Sequence, residues 1–194
     1  KLLIAPHQSL HYIPFHALFD GERYLIDEFE ITYGPSAAVL RICRQRQNSG
    51  QTAYDLIFSA PDERTPFMDE EAEAIHQLLP SSKLFQDEES TAANLRTYAP
   101  SARFLHIAAH GIFRSDNPMF SSLKLGDGWL NLFDIFKLKL KAELTTLSAC
   151  ETGMNAVREG DELLGLARGF LYAGATSLLV SLWMVRSEEH TSEL

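Results

Sequence analysis

Arg103-Phe104-Leu105-His106-Ile107-Ala108-Ala109, which stops at His110-Gly111, and Leu144-Thr145-Thr146-Leu147-Ser148-Ala149, which stops at Cys150, are the two stretches on which the fold turns. Each is a short run of apolar and β-branched residues, the pattern of a buried strand. Between them, Ser122 to Leu130 reads as a hairpin around Gly126-Asp127-Gly128, and Leu132 to Leu138 as a short helix. Beyond Cys150, the residues Leu163, Leu164, Ala167, Phe170 and Leu171 recur at helical spacing, with Asp161 as N-cap and Gly174 as the closing residue. Ser177 to Trp183 then reads as a last strand, apolar on both faces and therefore interior. Strands alternating with helices imply βα units and a largely parallel sheet.

The first half repeats that rhythm less cleanly. Leu2 to Ala5 reads as a strand, Tyr24 to Ile26 with Phe29 to Tyr33 as an extended pair, and Ala37 to Arg46 as a helix. Tyr54 to Ser59 is a continuous buried-strand pattern closed by Pro61. Asp69 to Leu79 has acidic residues in its first turn, which suits a helix N-terminus, and Pro80 stops it. Lys83 to Phe85 reads as a short strand and Thr91 to Tyr98 as a helix with Ser90 as N-cap. No internal repeat, low-complexity tract or linker interrupts the chain, so one α/β domain is expected over residues 1 to 185.

Composition narrows the function. The chain has 194 residues, 45% of them hydrophobic, enough for one sizeable core and unlike a disordered or collagen-like sequence. No apolar run reaches the roughly 20 residues of a membrane helix, so no membrane partner is expected. With 26 acidic against 17 basic residues the formal charge is -9, which repels phosphate backbones and argues against nucleic acid as a direct partner. Two cysteines, Cys43 and Cys150, are too few for a disulfide framework, and a reducing, cytoplasmic compartment is expected. The chain opens at Lys1 without a signal-peptide pattern, which reads as a piece of a longer protein.

Parallel sheets bind ligands at the carboxyl ends of their strands, and both His110 and Cys150 occupy such ends. If the two strands are neighbours, about 4.8 Å apart, imidazole and thiol face one cleft. That is the arrangement of a cysteine nucleophile with a histidine acid/base. Gly111 leaves its backbone N–H open to join that of Cys150 in an oxyanion hole. Against this stands the ordinary reading, in which one Cys and one His at strand ends are structural. His106 and His110 have a zinc-like spacing but lie on a strand without an accompanying Glu, so no metal is expected and His106 reads as a packed strand residue. His7, His11 and His16 read as turn or surface residues, and Cys43 as an ordinary helix position. Glu159, Asp161 and Glu162 have two readings, a pocket for a basic side chain or caps of the following helix.

Four strings in order, His106-Ile107-Ala108-Ala109-His110-Gly111, Leu147-Ser148-Ala149-Cys150-Glu151-Thr152-Gly153, Gly165-Leu166-Ala167-Arg168-Gly169-Phe170-Leu171-Tyr172-Ala173-Gly174-Ala175 and Ser181-Leu182-Trp183, resemble the CHAT domain. So does the opening Ile13-Pro14-Phe15-His16-Ala17-Leu18, with Tyr24-Leu25 and Pro35-Ser36. This is a caspase-like, separase-related family of clan CD cysteine peptidases often fused to tetratricopeptide repeats. The resemblance implies a three-layer α/β/α sandwich with a mostly parallel central sheet, His110 and Cys150 as the catalytic pair, and Gly111 and Cys150 as the oxyanion hole. It also implies a protein or peptide substrate, no cofactor, and a regulating repeat or sensor region in the full-length chain. A non-catalytic interaction module on the same fold is the alternative. Residues 186–194 depart from the family: Arg186-Ser187-Glu188-Glu189-His190-Thr191-Ser192-Glu193-Leu194 is polar, without period, and resembles the translation of a short-read sequencing adapter. A foreign tail and a native solvated one are the two readings.

Overall fold

A computed structural model describes residues 1–6, 10, 13–46, 54–63, 65–112, 114, 117–148 and 161–180, with the side chains of 118 and 161–164 left out. The segments called Cys150 to Glu159, Ser181 to Trp183 and Arg186 to Leu194 lie outside these residues.

The chain begins with β1 (Leu2–Ile4) and, after α1 (Leu25–Glu28), β2 (Ile31–Tyr33), which pair in parallel as a small sheet of their own. The helix α1 replaces the strand expected at Tyr24 to Ile26. Its cause is local: the Asp27 carboxylate accepts the Tyr24 backbone N–H at 2.8 Å and closes a helical turn that outweighs the strand preference of Tyr and Ile.

After α2 (Ala37–Arg46) the central sheet is laid down by β3 (Tyr54–Ala60), α3 (Met68–Leu78), β4 (Lys83–Gln86), α4 (Ala92–Tyr98) and β5 (Ala102–Ala109). It is completed by β9 (Leu144–Ser148), α6 (Asp161–Ala173) and β10 (Leu178–Val180). The strand order is β10-β9-β5-β3-β4, and every pairing is parallel. The chain leaves β3 toward β4 and then returns to the other side of β3 as β5, so the order reverses between β3 and β5. Such a reversal opens a crevice at the carboxyl ends of the strands.

A third, antiparallel sheet of β6 (Gly111–Ile112), β7 (Ser122–Leu125) and β8 (Gly128–Asn131) precedes α5 (Leu132–Phe136). The hairpin is where the Gly126-Asp127-Gly128 signal put it. β6 is too short to leave a pattern of its own.

One face of the central sheet carries the main core. Leu56 and Phe58 of β3, Leu105 and Ile107 of β5 and Leu147 of β9 pack with Leu95 of α4, Ile135 of α5, and Leu166 and Phe170 of α6. Gly169 lets α6 approach the Leu132 side chain of α5, with which a Cβ would collide. Gly174 ends α6 in the left-handed region at φ 124°, against the Leu140 backbone. On the opposite face α3 lies over β3, β4 and β5. The result is a sheet flanked by helices, the expected three-layer α/β arrangement.

Three local expectations are corrected. Thr91, not Ser90, caps α4: Thr91 has the extended backbone a cap needs and its hydroxyl accepts the Asn94 N–H at 3.1 Å, while Ser90 closes the preceding turn. Asp161 is the first residue of α6 and not the residue before it. Among the described residues β10 is an edge strand, with Leu179 58% exposed, and not an interior one. No helix among the described residues is long and apolar enough to cross a membrane.

Candidate active site

The strands ending at His110 and leading to Cys150 are neighbours. In the parallel β5–β9 register, Ala108 pairs with Ser148, and His110 and Cys150 follow those partners by two residues each in sequence. His110 leaves the parallel sheet and enters the antiparallel one. Its carbonyl accepts the Lys124 N–H of β7 at 2.8 Å, and the next residue, Gly111, pairs with Leu123. The histidine backbone is therefore fixed from both sides. The residue is only 7% exposed, and its ring meets the Trp129 ring of β8 edge to face, with centroids 6.1 Å apart and planes at 69°. Trp129 itself is half exposed, so the pair borders the surface.

Beneath this end of the sheet, on the α3 side, sits a polar cluster. Ser148 of β9 donates its hydroxyl to Oε2 of Glu71 at 2.9 Å. Nε2 of His106 on β5 lies 3.2 Å from Oε1 of the same carboxylate, close enough for an ion pair when the imidazole is protonated but not aligned as a hydrogen bond. His106 is 8% exposed. Burial pushes the Glu71 carboxyl up, yet the contact and charge of His106 and the Ser148 hydroxyl outweigh it and hold it below the usual glutamate value. Glu71 is thus ionised at neutral pH. On the adjacent strand β3, Ser59 is fully buried and its hydroxyl has no hydrogen-bond partner among the described residues.

The model of the CHAT domain family matches residues 1–194. The chain belongs to the CHAT domain family. A search of curated proteins finds no match. The CHAT domain is a caspase-like family, and the parallel sheet between helices is consistent with that sandwich.

Of the expected site residues in this CHAT domain, His110 and Gly111 stand at the carboxyl end of β5, while Cys150 and Glu159 lie outside the described residues. Asp161 and Glu162 open α6, with side chains outside the description. Cys43 is buried on α2 with Sγ 4.0 Å from the Ala175 carbonyl. Burial pushes its thiol up, against the opposing pull of Arg46, which leaves a poorly reactive sulfur. His16 contacts the Tyr33 hydroxyl at 3.1 Å through Nδ1 and belongs to the β1–β2 region. Among the described residues no group of three or more His, Cys, Asp or Glu is placed to hold a metal ion.

Glu71 is the residue that sequence reasoning missed. Its charge was absorbed into the acidic first turn of the helix, an ordinary answer to the helix dipole. The available signal was phase: Met68, Ala72 and Ile75 mark the sheet-facing side of α3, and Glu71 falls beside them at helical spacing. A carboxylate at such a position, partly withdrawn from water, gains from polar partners on the sheet.

Proposed function

We propose that this CHAT domain is a cysteine endopeptidase that cleaves a protein partner through Cys150 and His110. The observation that carries the reading is the parallel β5–β9 pairing with Ala108 opposite Ser148, two residues before His110 and Cys150 respectively. In this mechanism the Cys150 thiolate attacks the scissile carbonyl carbon, forming an S–C bond. The N–H groups of Gly111 and Cys150 receive the developing oxyanion. The His110 imidazolium protonates the leaving amine as the C–N bond breaks. Water, deprotonated by the now neutral imidazole, then cleaves the thioester and returns the proton to the enzyme. The acidic group Glu159, Asp161 and Glu162 is assigned to a pocket for a basic side chain. Regulation is assigned to a tetratricopeptide-repeat or sensor region of the full-length chain.

The burial of His110 against Trp129 favours a second reading, a protein-interaction module on the same fold whose histidine stays covered. Labelling with a thiol-directed acyl probe separates the two. The peptidase reading expects labelling that disappears in Cys150→Ala and persists in Cys43→Ala. Equal labelling of Cys150→Ala and the unaltered protein, or none of the unaltered protein, would reject it.

A further inference from the structure

Glu71 lies at the sheet-facing side of an amphipathic helix with its side chain 40% exposed, where an apolar residue would avoid the partial desolvation of a carboxylate. Glu71 is placed to do something else. Its two oxygens engage two different strands: Oε2 takes the Ser148 hydroxyl of β9 at 2.9 Å and Oε1 faces His106 of β5 at 3.2 Å. Those strands pair directly, with Ala108 opposite Ser148 and His106 opposite Thr146. His106 precedes His110 by four residues, and Ser148 precedes Cys150 by two. A single side chain on α3 therefore spans the two strands just before their ends, across the layer that separates helix from sheet.

We propose that Glu71 is a positioning residue, whose carboxylate ties His106 of β5 to Ser148 of β9 and so sets the relative placement of the strand ends that carry His110 and lead to Cys150. The proposal rests on the cysteine-peptidase reading for its purpose. It deepens that reading by naming a support outside the dyad. Nucleophile and base must be held to a fraction of an ångström, because a displacement near 1 Å costs about 100-fold in rate. Backbone pairing alone holds the strands in register and about 4.8 Å apart but leaves their twist and the course of their ends adjustable. A carboxylate anchored in a third element, hydrogen-bonded to the Ser148 hydroxyl of one strand and 3.2 Å from the His106 imidazole of the other, restricts both.

The chain carrying Cys43→Ala has Cys150 as its one thiol, so iodoacetamide alkylation followed by intact mass reads that sulfur directly. Rates measured across the pH range give its activation. The expected result for Glu71→Ala is alkylation at neutral pH slower by roughly 10–100-fold, with the profile moved toward that of a free cysteine near pH 8.5. Glu71→Gln keeps the acceptor for Ser148 and loses the charge beside His106, so it should fall between. Ser148→Ala removes one arm and should also slow the reaction. Should Glu71→Ala fail to fold, the latter two variants carry the test. A variant that melts lower but alkylates with the unaltered profile makes Glu71 merely structural and overturns the proposal. If Cys150 reacts like an ordinary thiol in the otherwise unaltered chain, the peptidase reading fails and the positioning role fails with it. An activated Cys150 whose profile is the same in Glu71→Gln and Ser148→Ala overturns the positioning role alone.

Discussion

Alternate residues of β5 leave opposite faces of the sheet, and the two faces obey different rules. Leu105, Ile107 and Ala109 enter the main core with α4, α5 and α6, where Phe58, Leu147, Leu166 and Phe170 complete an almost wholly apolar layer. His106 goes the other way and meets Glu71 of α3, alongside Ser148 of β9 and the buried Ser59 of β3. The first face converts area removed from water into stability. The second replaces part of that gain with charges and hydroxyls that must be satisfied, close to the strand ends where the chemistry is assigned. The proposed reading thus places stability and function on opposite faces of a single strand, through the two-residue period of the β conformation.

The strongest attack on this separation is a cavity in the apolar face. Phe170 has no exposed surface and packs between α6 and the sheet. Phe170→Ala is expected to cost roughly 3–5 kcal/mol in denaturant unfolding, through lost burial and the cavity left behind. Below the melting point the surviving folded fraction should still react at Cys150 at the unaltered rate. A small stability loss, or a large change in thiol reactivity at full folding, would show that the faces are not independent.

Most of the apolar face was legible in the sequence, and the reason is physical. Helical spacing at Ala167 and Phe170, and continuous apolar runs in β3, β5 and β9, reflect the burial they produce, so the pattern and the packing are one fact. The polar face has no such periodicity. Glu71 and His106 are 35 positions apart in sequence, and each has an ordinary local explanation, a helix first turn for one and a packed strand position for the other. Only the crossover from α3 through β4 and α4 to β5 brings them together. The tie between His110 and the antiparallel sheet was hidden for a similar reason: β6 has two residues, and the Lys124 N–H it depends on belongs to a hairpin read in isolation. Local chemistry at Asp27 likewise decided α1 against the strand preference of its neighbours.

A smaller test addresses a flaw in the apolar face. Thr145 pairs with Leu105 and Leu178, is fully buried, and its hydroxyl lacks a hydrogen-bond partner among the described residues. An unsatisfied buried hydroxyl costs free energy that an isosteric methyl does not. Thr145→Val should therefore stabilise the domain by about 1 kcal/mol in the same unfolding experiment. Destabilisation would mean that the hydroxyl has a role the apolar character of that face does not predict.

The least of the expected effects belongs to the polar face and depends on pH. The Glu71 carboxyl is held below its ordinary value in the folded state despite the opposing push of burial, because His106 and Ser148 favour its charged form. A carboxyl whose folded value is depressed contributes stability that is complete above its unfolded value and is lost as pH falls through the folded one. Protonating Glu71 removes the charge beside His106, so the difference in melting temperature between the unaltered chain and Glu71→Gln should be present at neutral pH. It should shrink on acidification, beginning near the ordinary glutamate value of 4.5 and continuing below it. Because the Glu71 side chain is 40% exposed, solvent screening limits the contribution to about 1 kcal/mol or less. A difference that stays constant through the acid range would mean that the charge of Glu71 adds nothing to the folded state. In that case the polar face would hold its strands by shape and the Ser148 hydrogen bond alone.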